Sequence, residues 1–256
     1  MILEVDIGNS RIKWRLRSEN SVIVSSVSGN TDDDIDSIFN LGEFQPTSVW
    51  VSTVVPSIQK KFSQWSRYRL GIQPQYALVT RKKAGVSNGY KVLSQMGVDR
   101  WLAVLAAFQV IKGPCVVVDC GTACTVDVIA AGGQHRGGYI VPGLRMMSDV
   151  LFRAAEGVTS STISSSTMPY VIPPTFGQST TTAVSAGLPA MIIGLIEYTL
   201  SDNLLSDNEI PLLLTGGDGK KFQQVLTNRL GLRVDFNAEL VLDGLQYACL
   251  TEKYPN

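Results

Sequence analysis

Two aspartates in this sequence stand in the same local setting. Asp6 closes the apolar run Met1-Ile2-Leu3-Glu4-Val5 and is followed by Ile7-Gly8-Asn9-Ser10. Asp119 closes Cys115-Val116-Val117-Val118 and is followed by Cys120-Gly121-Thr122-Ala123. Glycine at such a strand end lets backbone N–H groups approach an anion closely. Successive N–H groups in a turn form an anion-binding nest. Asn9 and Ser10 add donors and Lys13 adds a positive charge. A carboxylate has the wrong sign for phosphate, so the partner of Asp6 is a cation or a catalytic water. A third turn, Thr215-Gly216-Gly217-Asp218-Gly219, follows the apolar run Ile210–Leu214. A glycine-rich strand-to-helix turn of this kind suits the nucleoside end of a nucleotide. Asp, Gly, Asn and Ser also fill ordinary hairpin turns. It is their repetition that points to a triphosphate held by several turns. No G-x-x-x-x-G-K-[ST] run occurs, and no G-x-G-x-x-G follows a strand, which disfavours the P-loop and dinucleotide-binding readings.

A second group of residues surrounds Asp99. Gly97-Val98-Asp99-Arg100 leads into an apolar run ending at Lys112, and Gly113-Pro114 stops that helix. Asp99 directly before a helix reads as an N-cap whose carboxylate accepts an early helical N–H. Arg100 sits at a helix N-terminus, where the macrodipole disfavours positive charge. That conflict favours a role such as binding an anionic substrate. Tyr90, in Asn88-Gly89-Tyr90, fits a half-buried aromatic, and Thr180 fits an early-helix residue. His135 is the one histidine, which argues against a His-based metal site or a Ser-His-Asp triad. The four cysteines show no C-x-x-C spacing and read as reduced thiols.

The elements that carry these residues follow a repeated order. Ile12, Trp14 and Leu16 alternate with Lys13 and Arg15, the period of a half-buried strand. Strands are expected at Ser21–Ser28, Ser48–Val55 and Pro74–Thr80, and a helix from Pro56 to Leu70 with Pro at its start. The acidic stretch Thr31–Asp36 reads as a loop running into a helix. In the second half, strands are expected at 115–119, 125–130, 136–141 and 210–214. Helices are expected at 142–156, 179–200, 220–230 and 239–253, with a Ser/Thr-rich loop at 159–167. The two halves look like one β-β-β-α-β-α plan used twice, 1–113 and 114–256, with the turns facing each other across a cleft.

Composition narrows the class. The chain has 256 residues, 45% of them hydrophobic and 17% charged, enough for a substantial core. Lys plus Arg and Asp plus Glu both number 22, so charge makes no case for nucleic acid or an anionic membrane. Glu4 and Asp6 stand where a signal peptide would be apolar. The longest clean apolar runs, Trp101–Phe108 and Leu188–Ile193, are too short to span a bilayer.

Taken together, the chain resembles the type III pantothenate kinases of the acetate and sugar kinase, heat-shock chaperone and actin superfamily. The matching stretches are Asp6–Ser10, Asn88-Gly89-Tyr90, Gly97–Trp101, Val118–Ala123, Gly137–Gly143 and Thr215–Asp218. They span nearly the whole chain in order. The resemblance implies an α/β fold of two duplicated ribonuclease H-like, actin-like ATPase lobes with mixed β-sheets and an interlobe cleft. It implies ATP-dependent phosphorylation of pantothenate to 4′-phosphopantothenate in the cytoplasm, with Mg²⁺, a K⁺ or NH₄⁺ ion, and a homodimer. By resemblance Asp6, Ile7, Gly8, Asn9, Ser10, Arg11, Ile12 and Lys13 form the first phosphate turn, Asp6 orienting Mg²⁺ through water. Thr122 contacts ATP and Asp119 holds the monovalent cation. Tyr90, Gly97, Val98, Asp99, Arg100 and Thr180 contact pantothenate, with Asp99 the base. Ser10 replaces the family's usual Thr and keeps the hydroxyl. Trp101, Leu102, Leu105, Phe108 and the helix near 179–200 are expected to supply the dimer's apolar surface, with Thr180 reaching the partner's site. The rival readings are a nucleotide-dependent assembly module and a phosphatase on the same fold.

Overall fold

The computed structural model describes residues 1–18, 21–29, 41, 43–154, 170–201 and 210–249. The expected loops at 31–36 and 159–167, and the ends of the helices expected to reach 156 and 253, lie outside them. The chain divides into two compact units, 1–110 with 239–256, and 111–238. The last helix groups with the first unit.

In the first unit, β1 (Ile2–Ile7) is antiparallel to β2 (Arg11–Ser18), which pairs with β3 (Ser21–Gly29). On its other side β1 runs parallel to β4 (Ser48–Thr53), and β4 to the short β5 (Gln75–Tyr76). The five-stranded order is β3-β2-β1-β4-β5. Helix α1 (Pro56–Leu70) starts on its proline and ends at Gly71, whose left-handed φ of 68° places its N–H on the carbonyl of Arg67. Leu3, Val5 and Ile7 alternate on one face of β1 and pack with Val49, Val51 and Phe62. The opposite face carries Glu4 and Asp6.

A tight hairpin follows, β6 (Lys82–Lys83) and β7 (Val86–Ser87), turning through Ala84 and Gly85, both at positive φ. Helix α2 (Val98–Ile111) comes next.

The second unit repeats the strand plan. β8 (Cys115–Cys120) is antiparallel to β9 (Ala123–Ala130), which pairs with β10 (Gln134–Pro142). β8 runs parallel to β11 (Leu212–Thr215), and β11 to β12 (Val234–Phe236). The order β10-β9-β8-β11-β12 is that of the first sheet. Helices α3 (Leu144–Ala154), α4 (Thr180–Leu200) and α5 (Gly219–Leu230) complete this unit. α4 is the described helix long and apolar enough to cross a membrane. Its Leu188, Ile192, Ile193 and Ile196 are instead buried in the second unit's core with Val116, Val118 and Phe222.

Helix α6 (Leu240–Cys249) returns to the first unit and packs on β1 and β4. It also meets α2 at backbone contact: a Cβ on Gly244 would lie 2.3 Å from the Leu102 carbonyl oxygen. That contact explains a departure from the sequence expectation. Trp101, Leu102 and Leu105 are fully buried inside the chain and supply no outward surface. A helix apolar all round is a core helix, and each such side chain contributes about 1.5–3 kcal/mol by burial. All four cysteines are free thiols and buried.

Candidate functional site

The turn after Asp6 is built by strand register. Asp6 pairs with Lys13 across β1–β2 and with Ser52 across β1–β4. The last pair before the turn is Ile7 with Ile12, and the Gly8 N–H donates to the Arg11 carbonyl at 3.0 Å. Ile7 and Ile12 anchor the turn by burial, while Asn9, Ser10 and Arg11 are exposed at its tip. Asp6 and Lys13 are half-buried just beneath it.

Under this turn lies a charge cluster that sequence reasoning missed. Glu4 and Arg15 are buried, paired in register, and joined by an ion pair. The Arg15 Nη1 also donates to Glu239, just before α6, and to Asp243 within it, each at 2.7 Å, and the Arg17 Nη2 donates to Glu4 at 2.8 Å. Burial opposes the Arg15 charge, but Glu4, with Glu239 and Asp243, holds its pKa above the ordinary arginine value. Glu4 and Arg15 lie 224 and more residues from Glu239, so no local pattern marks the cluster.

At the start of α2 the structure brings four expected residues together. The Trp101 N–H donates to the Gly97 carbonyl at 3.1 Å, so the helix begins at Val98 and Gly97 takes the cap position. Asp99 is therefore not the N-cap but a first-turn residue, its Oδ1 accepting from the Arg100 N–H at 2.8 Å. Gly97 has a specific reason to be glycine: a Cβ there would lie 2.5 Å from Asp99 Oδ1. Arg100 is only 6% exposed. Its Nη1 donates to the Tyr90 hydroxyl at 2.6 Å, and its guanidinium carbon stands 5.5 Å from the centre of the Tyr90 ring. A buried cation at a helix N-terminus is thus held by a hydroxyl and an aromatic face.

In the second unit three glycine-bearing segments converge on Asp119 and its turn. The last pair before this turn is Cys120 with Cys124, and the Gly121 N–H donates to the Ala123 carbonyl at 3.1 Å. A Cβ on Gly216, at φ 82°, would lie 2.3 Å from Asp119 Oδ1, and one on Gly121 would lie 3.2 Å from it. The Asp218 N–H donates to the Cys120 carbonyl at 3.0 Å, and the Gly143 N–H to the Thr122 carbonyl at 3.0 Å. Thr122 is exposed on the turn. The Cys124 hydrogen bond, then burial, pushes the Cys120 thiol well above its ordinary range. Both side chains are buried and fit a packing role.

Thr180 stands apart from these groups. It is the first residue of α4, exposed, after the N-cap Ser179, whose Oγ accepts from the Thr182 N–H at 3.2 Å. It borders an open groove with Leu151, Ala183, Val184, Gly187 and Met191.

Comparison with known proteins bears on these geometries. A family model described as type III pantothenate kinase matches residues 2–202. A type III pantothenate kinase of Pseudomonas aeruginosa is 34% identical over 257 residues, covering 98% of this chain and 100% of that one. The chain belongs to the type III pantothenate kinase family. Membership makes it a phosphotransferase of coenzyme A biosynthesis, with ATP as donor and pantothenate as acceptor. Solved structures agree on the fold. A protein described as a Baf family transcriptional activator from Campylobacter jejuni superposes with a TM-score of 0.59 at 21% identity, covering 98% of each chain. One described as an N-acetylmannosamine kinase from Listeria monocytogenes gives 0.55 at 15% identity, covering 98% of this chain and 99% of that one. The expected fold class, duplicated ribonuclease H-like lobes of the actin-like ATPase type with mixed sheets, is therefore the observed one.

Proposed function

We propose that this pantothenate kinase uses Asp99 to accept the proton of the pantothenate primary hydroxyl as that oxygen attacks the γ-phosphorus of ATP. The new oxygen–phosphorus bond forms as the bond from the γ-phosphorus to the bridging oxygen breaks, and ADP leaves. The start of α2 carries this reading. A half-buried carboxylate packed on Gly97 adjoins a buried guanidinium bonded to Tyr90. Base and cation side by side suit an acceptor that has both a hydroxyl and a carboxylate. Asp99 takes the proton. Arg100 neutralises the carboxylate, Tyr90 fixes Arg100, and Gly97 and Val98 border the acceptor.

The residues Asp6–Lys13 take up the phosphates, and Thr122 contacts ATP. Among the described residues, no group of three or more His, Cys, Asp or Glu side chains gathers to cage a metal. A single carboxylate at a strand end suits Mg²⁺, which keeps several waters and leans on substrate phosphates. Held there, the ion would offset the charge of the phosphates. Asp6 orients it through water. Asp119 faces glycine backbone at Gly121 and Gly216. A carboxylate there, near bound phosphates, is favourable only with a cation beside it. Asp119 therefore holds K⁺ or NH₄⁺.

The active form is a homodimer in the cytoplasm, with no nucleic acid or membrane partner. Exposed Met146, Val150, Phe176, Met191 and Tyr198 on the second unit support the dimer, and Thr180 shares its groove with Met191. Thr180 reaches the partner's acceptor site.

Incubation of the purified protein with ATP, with and without pantothenate, tests the reaction. Phosphorylated product is expected only with pantothenate; phosphate release regardless of it sinks the kinase reading. Turnover unchanged when K⁺ is replaced by a bulky organic cation removes the role of Asp119. Sedimentation as monomer alone in a fully active preparation removes the dimer.

A further inference from the structure

Arg81 is an exposed arginine just ahead of the β6–β7 hairpin, outside every motif the sequence offers. Its guanidinium nonetheless donates to three carbonyls of one loop. Nη1 donates to the Asn88 carbonyl at 3.1 Å and to the Tyr90 carbonyl at 2.7 Å, and Nη2 to the Lys91 carbonyl at 3.2 Å. The Asn88 N–H returns a bond to the Arg81 carbonyl at 2.8 Å. Inside the loop, the Asn88 Oδ1 accepts from the Tyr90 N–H at 2.9 Å, and its Nδ2 donates to the Met96 sulfur at 3.2 Å. Tyr90 in turn takes the Arg100 hydrogen bond.

We infer that Arg81 is a positioning residue for the acceptor site, clamping the 88–91 loop so that the Tyr90 hydroxyl holds Arg100 in place. The inference rests on the reading of Tyr90 and Arg100 as pantothenate contacts. The loop from Asn88 to Gln95 has no strand partner, and its one regular piece is the short 3-10 turn Leu93–Gln95. Carbonyls there would otherwise turn to water. A planar fork of N–H donors can satisfy several carbonyls at once in a fixed arrangement. A lysine presents a single point charge and cannot reproduce the fork. Because Arg81 is exposed, its loss leaves no cavity. The consequence falls on the aim of Tyr90, and through it on Arg100.

The test compares Arg81→Ala and Arg81→Lys with Arg100→Ala, measuring KM for each substrate, kcat and melting temperature. Arg81→Ala is expected to raise KM for pantothenate about 10-fold, since small misplacement of a binding group carries costs of that order. KM for ATP and the melting temperature stay near the parent, and Arg81→Lys falls between parent and Ala. If Arg100→Ala raises KM for pantothenate while Arg81→Ala does not, the clamp is refuted and the site reading survives. If Arg100→Ala is also neutral, the site reading fails and the clamp with it. A rise in both KM values together with a lowered melt makes Arg81 a general stabiliser and overturns the inference. Should Arg81→Ala fail to fold, Arg81→Lys alone decides by the same split.

Discussion

The two units use one strand order and one turn position, yet they surround the turn differently. In the first, the residues between the last paired strand positions are Gly8, Asn9, Ser10 and Arg11; in the second they are Gly121, Thr122 and Ala123. Two residues before each turn aspartate stands Glu4 in one sheet and Val117 in the other. Glu4 faces Arg15 across the strand pair and Val117 faces Asp127. The first unit buries an ion cluster braced by α6, whereas Asp127 of the second bonds the His135 Nε2 at 2.9 Å. The glycines differ as well. At Gly97 in the first unit, the crowding atom is the end of the Asp99 side chain. At Gly143 in the second, backbone atoms of Gly121 and Thr122 crowd the position, and at Gly216 the Cys120 backbone does so together with the Asp119 carboxylate. Duplication thus preserved a frame, and the chemistry diverged in what was packed against it. The start of α2 carries movable functional groups; the Asp119 turn sits in a cradle made largely of backbone.

The sharpest test of that division is Asp99→Asn. Asn accepts the Arg100 N–H as Asp does, and Asp99 is not the helix cap, so stability should change by less than about 1 kcal/mol. An amide cannot take the hydroxyl proton, so turnover should fall by roughly 10² to 10⁴. ATP affinity should persist, because its turns are untouched. Melting temperature, ATP affinity and turnover read on one preparation check this. Turnover within a few-fold of the parent would move the proton acceptor elsewhere, with Asp6 first in line.

Two glycine substitutions contrast the units directly. Gly216→Ala places a Cβ 2.5 Å from the Cys120 carbonyl carbon and forces φ 82° on a residue with a side chain. Neither obstacle is flexible, so a loss of about 2–4 kcal/mol is expected from strain and overpacking combined. Gly97→Ala meets only the Asp99 carboxylate, which can rotate away. Stability should hold within about 1 kcal/mol, while turnover drops about 10-fold or more as the base is turned aside. Urea melts and rates on both variants decide it. Equal stability losses at the two positions would erase the distinction between cradle and functional group.

Much of the frame was legible because local patterns carry it. Alternation in β2, apolar runs in β1 and β8, Pro56 at a helix start and the repeated Asp-x-Gly all have short-range causes. The clamp and the cluster were not legible. Arg81 acts through three backbone carbonyls whose directions no residue type announces. The β6–β7 turn uses Ala84-Gly85 at positive φ, without the Asn-Gly or Asp-Gly signal of such hairpins. Strand β12 is three residues long, too short for a period to show. The apolar faces of Trp101, Leu102 and Leu105 read equally as core or interface, and their complete burial, with Gly244 of α6 against the Leu102 backbone, makes them core. Asp99 lies inside the helix rather than before it because the Gly97 carbonyl accepts the first helical bond.

The smallest effect concerns the thiols, which titrate the packing of each unit separately. Burial pushes Cys115 in the second unit and Cys249 in the first up to about 12, from an ordinary 9.0. The folded chain therefore keeps these protons at a pH where the unfolded chain has released them. Their contribution to stability is whole below pH about 9 and is lost as pH rises toward about 12. Within that window each thiol steepens the fall by up to about 1.4 kcal/mol per pH unit. Other groups titrate there too, so the comparison is between slopes. Urea unfolding of the parent, Cys115→Ala and Cys249→Ala should show a flatter decline in each variant. Equal flattening means that both cores exclude water alike. A flatter slope for Cys115→Ala alone would show that α6 lets water reach Cys249, and that the first unit is the looser one at its C-terminal helix. An unchanged slope in both would mean that neither thiol is shielded as its burial requires.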